Sequence, residues 1–249
     1  MNTAAYLARI GVAAAMPPSL AALQALQQAH LLAVPFENLD IHLGRRIDLA
    51  NTFDKIVTHR RGGFCYELNG LFCELLQALG YEVKQVSARV YDSKNQTYSP
   101  EYDHLALVVT LEKEDYLVDV GFGDFAQQPL QLQLRQPQQD ARGQFRISCL
   151  DADYLVVEHL TPDGWVPEYM FSLTPRCLAE FAPMCHYHQT SPASHFTQKS
   201  VCSLLTPDGR ITLTGQTLKI TRNGIATEYV LADEQAYHSA LLEHFGITL

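Results

Sequence analysis

Cys65 stands where a chain would place a nucleophile. It follows Arg61-Gly62-Gly63-Phe64 and opens a stretch in which Leu68, Leu71, Phe72, Leu75, Leu76 and Leu79 recur at three- and four-residue spacing. That spacing predicts an amphipathic helix, closed by Gly80. A cysteine in a helix's first turn faces unpaired backbone N–H groups and the positive end of the dipole, and both favour the thiolate. Gly62 and Gly63 would let a substrate approach the backbone closely. Cys73, Cys149, Cys177, Cys185 and Cys202 read as small buried hydrophobes.

A thiol nucleophile needs a base, and the base needs an acceptor that fixes its tautomer. His104 opens the run His104 to Leu111, and Asp119 lies in Tyr116 to Gly123; the two runs predict a hairpin around Glu112 to Asp115. With Leu111 facing Tyr116, His104 faces Gly123 and Asp119 faces Val108. The two side chains then share a face without being opposite, so a bulge or strong twist is expected to bring them together. In an apolar strand, Asp119 needs a partner. A purely structural acceptor remains the alternative reading at this point. Cys185-His186-Tyr187-His188, with His195, lacks a Cys-x-x-Cys or His-Glu-x-x-His companion. It reads as packed or solvent-facing histidines, and no metal is expected.

These residues need elements to hold them. Ser19 is expected to cap a helix over Leu20 to His30 after the break at Pro17-Pro18, and a third helix spans Asn51 to His59. Val34 to Asp40 reads as a turn or extended loop. Beyond Gly80 the period becomes alternating. Strands are expected around Val86 to Val90, the hairpin, Phe145 to Cys149, Tyr154 to His159, Ser200 to Leu205, Arg210 to Leu213 and Thr217 to Thr221. Gln127 to Gln139 reads as an edge strand plus loop. Pro175 to Phe181 suggests a short helix, and Asp233 to Phe245 a final one closed by Gly246. Strands and helices do not alternate, which argues against a doubly wound sheet and for an α+β protein.

The 249 residues carry 18 basic and 27 acidic side chains, a net charge of −9. That argues against nucleic-acid binding and leaves room for a small anionic ligand at a local basic spot. No apolar run reaches membrane-spanning length and Met1-Asn2-Thr3 lacks a signal-peptide start, so no membrane partner and a cytoplasmic location are expected. Six cysteines in a chain this long do not read as a disulfide framework.

Arg61 to Asn69, Val34-Pro35-Phe36-Glu37-Asn38-Leu39, Asp103-His104-Leu105, Val118 to Gly123 and Gln189-Thr190-Ser191-Pro192 to Ser203-Leu204 together resemble the motifs of the arylamine N-acetyltransferase family. The similarity runs from the first helix to about Gly224, and the chain ends at Leu249, shorter than many members. The resemblance implies a fold of three parts with a cysteine-protease-like core. Residues 1–80 would be a helical bundle carrying the cysteine, 81–188 an antiparallel β-barrel carrying histidine and aspartate, and 189–249 an α/β lid. It implies a Cys65, His104 and Asp119 triad, and ping-pong transfer of acetyl from acetyl-CoA to arylamines and arylhydrazines through an acetyl-cysteine. O-acetylation of N-hydroxyarylamines and a role in xenobiotic metabolism are implied with it. Phe122 and Gly123 would line the acyl pocket, and Asp103 and Thr190 would lie among the substrate and cofactor contacts. Lys199, Arg210, Lys219 and Arg222 are candidates for the cofactor's phosphates. Arg61 reads as a structural partner of Glu37. The competing readings are a cysteine hydrolase or transglutaminase with the same triad, and an amide-forming acyltransferase with another acyl donor.

Overall fold

The first helices form where capping side chains stop backbone N–H groups from being orphaned. In the computed structural model, which describes residues 1–249, Asn2 accepts from the Ala5 amide to start α1 (Thr3–Arg9). Ser19 accepts from Ala22 to start α2 (Leu20–Ala33). Val34 to Asp40 is more ordered than a loop. It forms the two-residue strand β1 (Phe36–Glu37) and enters α3 (Leu39–His42). Asn51 to His59, expected as a helix, forms a wide π-helical turn over Asp54–Thr58. The long helix α4 (Cys65–Ala78) is buried on almost every side, and Gly80 ends it with φ of 90°. A helix covered all round is an interior helix, and α4 is the axis on which the helical part packs. Buried His30 joins α1 and α2 to it, bonding the Tyr6 hydroxyl at 2.9 Å and meeting Phe72 edge-on.

Nine strands follow: β2 (Glu82–Asp92), β3 (Thr97–Tyr98), β4 (His104–Leu111), β5 (Glu114–Val118), β6 (Leu130–Gln131), β7 (Gln138–Asp140), β8 (Gly143–Cys149), β9 (Leu155–Thr161) and β10 (Gly164–Phe171). Eight pair antiparallel in the order β6-β5-β4-β2-β10-β9-β8-β7, with β3 beside β2. The ends nearly meet. The Gln138 side chain bonds both backbone groups of Gln131, at 2.8 Å each, and the Arg135 amide reaches Ile147 O at 2.7 Å. This is the antiparallel barrel expected from the resemblance. Val86, Val108, Leu117, Phe145, Val157 and Phe171 fill its interior, while Leu105, Leu107 and Val109 on the other face of β4 pack into the helical core. A strand buried on both faces reads as a continuous apolar run, which is why His104 to Leu111 shows no alternation.

The hairpin register differs from the expected one by two residues. Leu111 faces Glu114, not Tyr116, because Glu112 and Lys113 both take positive φ, 51° and 71°, in a two-residue turn. A shift of two preserves the face, so His104 and Asp119 still share one and lie closer together. The bulge sits elsewhere, at Glu168 of β10, where the register skips between Pro167 and Tyr169.

The chain then returns to helix through a 3₁₀ turn at Leu178–Phe181, α5 (Ala182–Thr190) and α6 (His195–Gln198). A second sheet, β1-β11-β12-β13-β14, is built from β11 (Val201–Thr206), β12 (Gly209–Thr214), β13 (Thr217–Arg222) and β14 (Ile225–Val230). Helix α7 (Glu234–Phe245) packs on it, capped by Asp233 and ended by left-handed Gly246. The parts interlock along the chain. β1 belongs to the C-terminal sheet, and Phe181 and Cys185 join the helical core.

Candidate active site

The loop before α4 is held by buried charge. Arg61 donates to Glu37 Oε1 at 2.8 and 3.1 Å and to Asp40 at 3.1 Å, so the expected Arg61–Glu37 pair is present. Lys55 reaches Asp40 and Glu67, both at 2.8 Å. Glu67 in turn accepts from the Phe64 amide at 3.1 Å, closing the helix start. Burial pushes the Glu67 carboxyl up to about 7, against the pull of Lys55. The two glycines are required by the protein itself, not by a substrate. A Cβ on Gly62 would lie 2.0 Å from the Pro35 carbonyl oxygen, and one on Gly63 2.8 Å from Glu67 Cβ.

Cys65 therefore enters α4 at a fixed angle, and the barrel meets it there. A Cβ on Gly121 would lie 2.8 Å from Cys65 Cα, so the segment after β5 packs directly on the cysteine's backbone. His104 opens β4 opposite Ala88 and is buried. Its Nε2 lies 2.6 Å from Asp119 Oδ2, which leaves Nδ1 as the nitrogen able to exchange a proton. Asp119 follows the last β5 residue and is buried. Besides His104 it accepts from Asn69 Nδ2 at 2.8 Å, the Gly121 amide at 2.9 Å and the Tyr169 hydroxyl at 3.1 Å. The β10 bulge one residue earlier aims Tyr169 inward. Phe122 stacks edge-on to His104, with ring centroids 5.1 Å apart.

The environment of Cys65 differs from the sequence expectation. Its side chain is buried, and burial pushes the thiol well above its usual range. The Leu105 backbone amide pulls it down, while Asp103 and Asp119 push it further up. Burial outweighs the helix dipole, so a lone thiolate is disfavoured. A thiol in such surroundings becomes a nucleophile by giving its proton to a base. Among the other cysteines, Cys149 and Cys177 are exposed, contrary to expectation, whereas Cys73, Cys185 and Cys202 are buried.

The remaining candidates lie in different places. Gly123, with φ of 91°, lines a groove of about 810 Å³ between the barrel and the C-terminal sheet, together with Phe36, Ser203, Arg210 and Lys219. Lys199 and Arg222 do not line it; Arg142, which the sequence did not single out, does. Arg142 and Arg210 converge on Asp124 at 2.5 and 3.4 Å, and Arg210 also donates to Gly123 O at 2.8 Å. Asp103 turns away from the groove towards His188, at 3.1 Å. Thr190 is exposed at the end of α5, its hydroxyl bonded to His186 O. Asn69, Tyr169 and the Lys55–Glu67 pair were missed. Asn69 carried a signal, a polar residue four positions after Cys65 within a helix of apolar residues.

A cysteine at the start of a buried helix, with a buried His–carboxylate pair on the barrel segment that packs on it, is an arrangement suited to thiol-dependent enzymes. Residues 19–249 match the profile of a family described as N-acetyltransferase, and the chain belongs to that family. It is 38% identical over 277 residues to the chicken arylamine N-acetyltransferase pineal gland isozyme NAT-3, covering all of this chain and 95% of the relative. The structure of the Mycobacterium marinum arylamine N-acetyltransferase in complex with CoA superposes with a TM-score of 0.89 at 35% identity, over 99% of this chain and 93% of the other. That of a Bacillus cereus arylamine N-acetyltransferase, described as having a unique Cys-His-Glu catalytic triad, gives 0.92 at 28% identity over the whole of both chains.

Proposed function

We propose that the protein transfers acetyl from acetyl-CoA to arylamines and arylhydrazines by a ping-pong route through Cys65. The carrying observation is that Asp119, His104 and the Cys65 helix are tied into one bonded unit through Asn69. In the first half-reaction His104 Nδ1 takes the thiol proton as Sγ attacks the thioester carbonyl. The tetrahedral intermediate collapses with loss of the CoA thiolate, which receives the proton from His104. The first-turn amides of α4 are the donors at hand for the oxyanion. In the second half-reaction the amine nitrogen attacks the acetyl-cysteine, His104 takes its proton, and Sγ leaves and is reprotonated. Asp119 holds the imidazole in one tautomer and balances its charge throughout.

The groove beside Gly123 suits the CoA arm, with Arg142, Arg210 and Lys219 near its phosphates. The bound CoA of the M. marinum relative supports CoA as the carrier of the acyl group. The names of the relatives support aromatic amines as acceptors, and Phe122 beside His104 offers an apolar wall for the acyl group. Six free cysteines accord with a reducing, cytoplasmic setting, where clearance of foreign aromatic amines is the proposed role. The test is to mix the enzyme with acetyl-CoA alone, quench rapidly in acid and locate the label by peptide mass spectrometry. Acetyl on Cys65, cleared by an aromatic amine with release of acetylated amine, is the expected result. No label under fast quench, with product forming once amine is added, would point to direct transfer in a ternary complex.

A further inference from the structure

Asp124 sits between two arginines that line the groove beside Gly123. Its Oδ2 accepts from Arg142 Nη2 at 2.5 Å, and its Oδ1 lies 3.4 Å from Arg210 Nε. It is the one carboxylate within 4.0 Å of either guanidinium. Arg210 is fixed by the protein itself, donating to Gly123 O at 2.8 Å and to Ser203 Oγ at 3.1 Å. Asp124 is held by far less. Its side chain is 53% exposed, and the bond from Arg142 is the only hydrogen bond it makes.

The carboxylate and its partners do not match. Nε of Arg142 and Nε of Arg210 are both buried without a hydrogen-bond acceptor. A guanidinium presents its N–H donors in a rigid fork and pairs best with an anion that offers oxygens along it. Here the two oxygens of Asp124 leave donors on both forks unmatched. A phosphate, with three terminal oxygens and up to two charges, has acceptors enough for both. The other charged groups nearby have partners of their own. Lys219 lies 3.7 Å from Glu228, and Asp208 3.9 Å from Arg222. Glu168 feels the charges of Asp124 and Arg142, yet its contact is His159, at 3.7 Å. In a chain of net charge −9, Arg142 and Arg210 are thus a local basic spot capped by one loosely held carboxylate.

We propose that Asp124 is a built-in stand-in for a CoA phosphate: it covers Arg142 and Arg210 while the groove is empty, and donor binding exchanges its carboxylate for phosphate on the same two guanidinium groups. The proposal rests on the groove holding CoA's phosphates. Asp124 then weakens donor binding, and in the empty groove it offsets the repulsion between two neighbouring cations. The exchange also selects the donor. A carrier without phosphate cannot displace the carboxylate and gains nothing from the arginines.

The test is calorimetric titration of CoA, and of pantetheine as the same thiol arm without phosphates. The proteins are wild type, Asp124→Asn, Arg142→Gln and the double variant, each checked for folding by circular dichroism. Asp124→Asn keeps the side chain's shape and removes its charge. It should bind CoA about threefold to tenfold more tightly, the scale of breaking partly exposed ion pairs, and bind pantetheine as wild type does. Arg142→Gln should bind CoA more weakly. In the Arg142→Gln background the gain from Asp124→Asn should shrink, because one of the contested guanidinium groups is gone. A gain of equal size in both backgrounds would be the field of one exposed carboxylate, not an exchange, and overturns the proposal. So does CoA binding that is unchanged or weaker in Asp124→Asn, or an equal gain for pantetheine. Arg142→Gln scores the underlying reading separately. If it weakens CoA while Asp124→Asn does not tighten it, the groove stands as the phosphate site and the exchange alone falls. If Arg142→Gln leaves CoA binding untouched, the phosphates lie elsewhere and both fall.

Discussion

Asn69 Nδ2 lies 2.8 Å from Asp119 Oδ1 and 2.7 Å from Leu105 O, while Asn69 Oδ1 accepts from the Val120 amide at 2.9 Å. One carboxamide on the Cys65 helix therefore stitches both strands of the hairpin that carries His104 and Asp119 to the helical core. Asn69→Ala would leave the Val120 amide and the Leu105 carbonyl buried without this partner. Each orphaned group costs about 1–3 kcal/mol, so a stability loss of roughly 2–4 kcal/mol is expected. kcat should fall further than stability alone accounts for. Urea unfolding and steady-state kinetics on the folded fraction check both; a folded variant with wild-type kcat would show that Asn69 only braces the hairpin.

Tyr169→Phe probes the same carboxylate more gently. The ring stays in the barrel among Phe122 and Phe125, and only the hydroxyl at 3.1 Å from Asp119 is lost. Removing one donor of four is worth about 1 kcal/mol, so kcat should drop about fivefold to tenfold with little change in the melting midpoint. Unchanged kcat would mean that His104, Asn69 and Gly121 suffice to hold Asp119.

The sequence made Cys65, His104 and Asp119 legible because each breaks a local pattern: a cysteine at a helix start, a histidine at the head of an apolar run, a carboxylate within one. Their shared face survived a wrong register because a two-residue slip preserves the side on which side chains emerge. What could not be read were the contacts between parts distant in sequence. Tyr169 looks like any barrel aromatic until the bulge at Glu168 aims it. α5 has no apolar stripe, only Cys185 and His188 buried, and β14 is exposed along its whole length, so neither carries a periodic signal. β1 takes its strand form from β11, more than 160 residues further on. Position on a helix shows the dipole but not the burial that pushes the Cys65 thiol up.

Gly62→Ala tests whether the glycine pair serves the fold or the substrate. Its new Cβ would overlap the Pro35 carbonyl oxygen, a backbone atom that cannot swing aside. The loop carrying β1 would have to shift, pulling Glu37 away from Arg61. A loss of about 3 kcal/mol or more is expected, at the upper end for overpacking. A variant with wild-type stability but a raised KM for acetyl-CoA would instead restore the substrate-access reading.

Glu168 gives a pH test away from the triad. Burial pushes its carboxyl up to about 7, Asp124 adds to the push, and Arg142 opposes it. A raised carboxyl pKa means that the folded state binds the proton more tightly than the unfolded one. No stability is lost below about 4.5, where both states are protonated, and the cost of ionising the buried group grows as pH rises to about 7. With its side chain 27% exposed, that cost is on the order of 1–3 kcal/mol. Glu168→Gln should therefore melt several degrees higher than wild type at pH 8 and nearly alike at pH 5. An equal difference at both pH values would show that the effect is packing.

Asp119→Asn is the most severe test of the constellation. Asp119 receives four donors, two on each oxygen: Asn69 and Gly121 on Oδ1, His104 and Tyr169 on Oδ2. An asparagine can present acceptor oxygen at only one of those positions, and its amide must face donors at the other. If the amide replaces Oδ2, His104 Nε2 can keep the contact only by giving up its proton, which moves that proton to Nδ1 and leaves the ring unable to take one from Cys65. If it replaces Oδ1, Asn69 and Gly121 lose their acceptor, and the imidazolium still loses its counter-charge. Either way acetylation of Cys65 should slow, by about 10⁴-fold if the change behaves as in a Ser–His–Asp triad. Rapid-quench mass spectrometry of Cys65 after an acetyl-CoA pulse separates this step from amine transfer, and circular dichroism shows whether the variant is folded. A folded Asp119→Asn that acylates Cys65 at the wild-type rate would leave Asp119 a structural acceptor and move the search for His104's partner elsewhere.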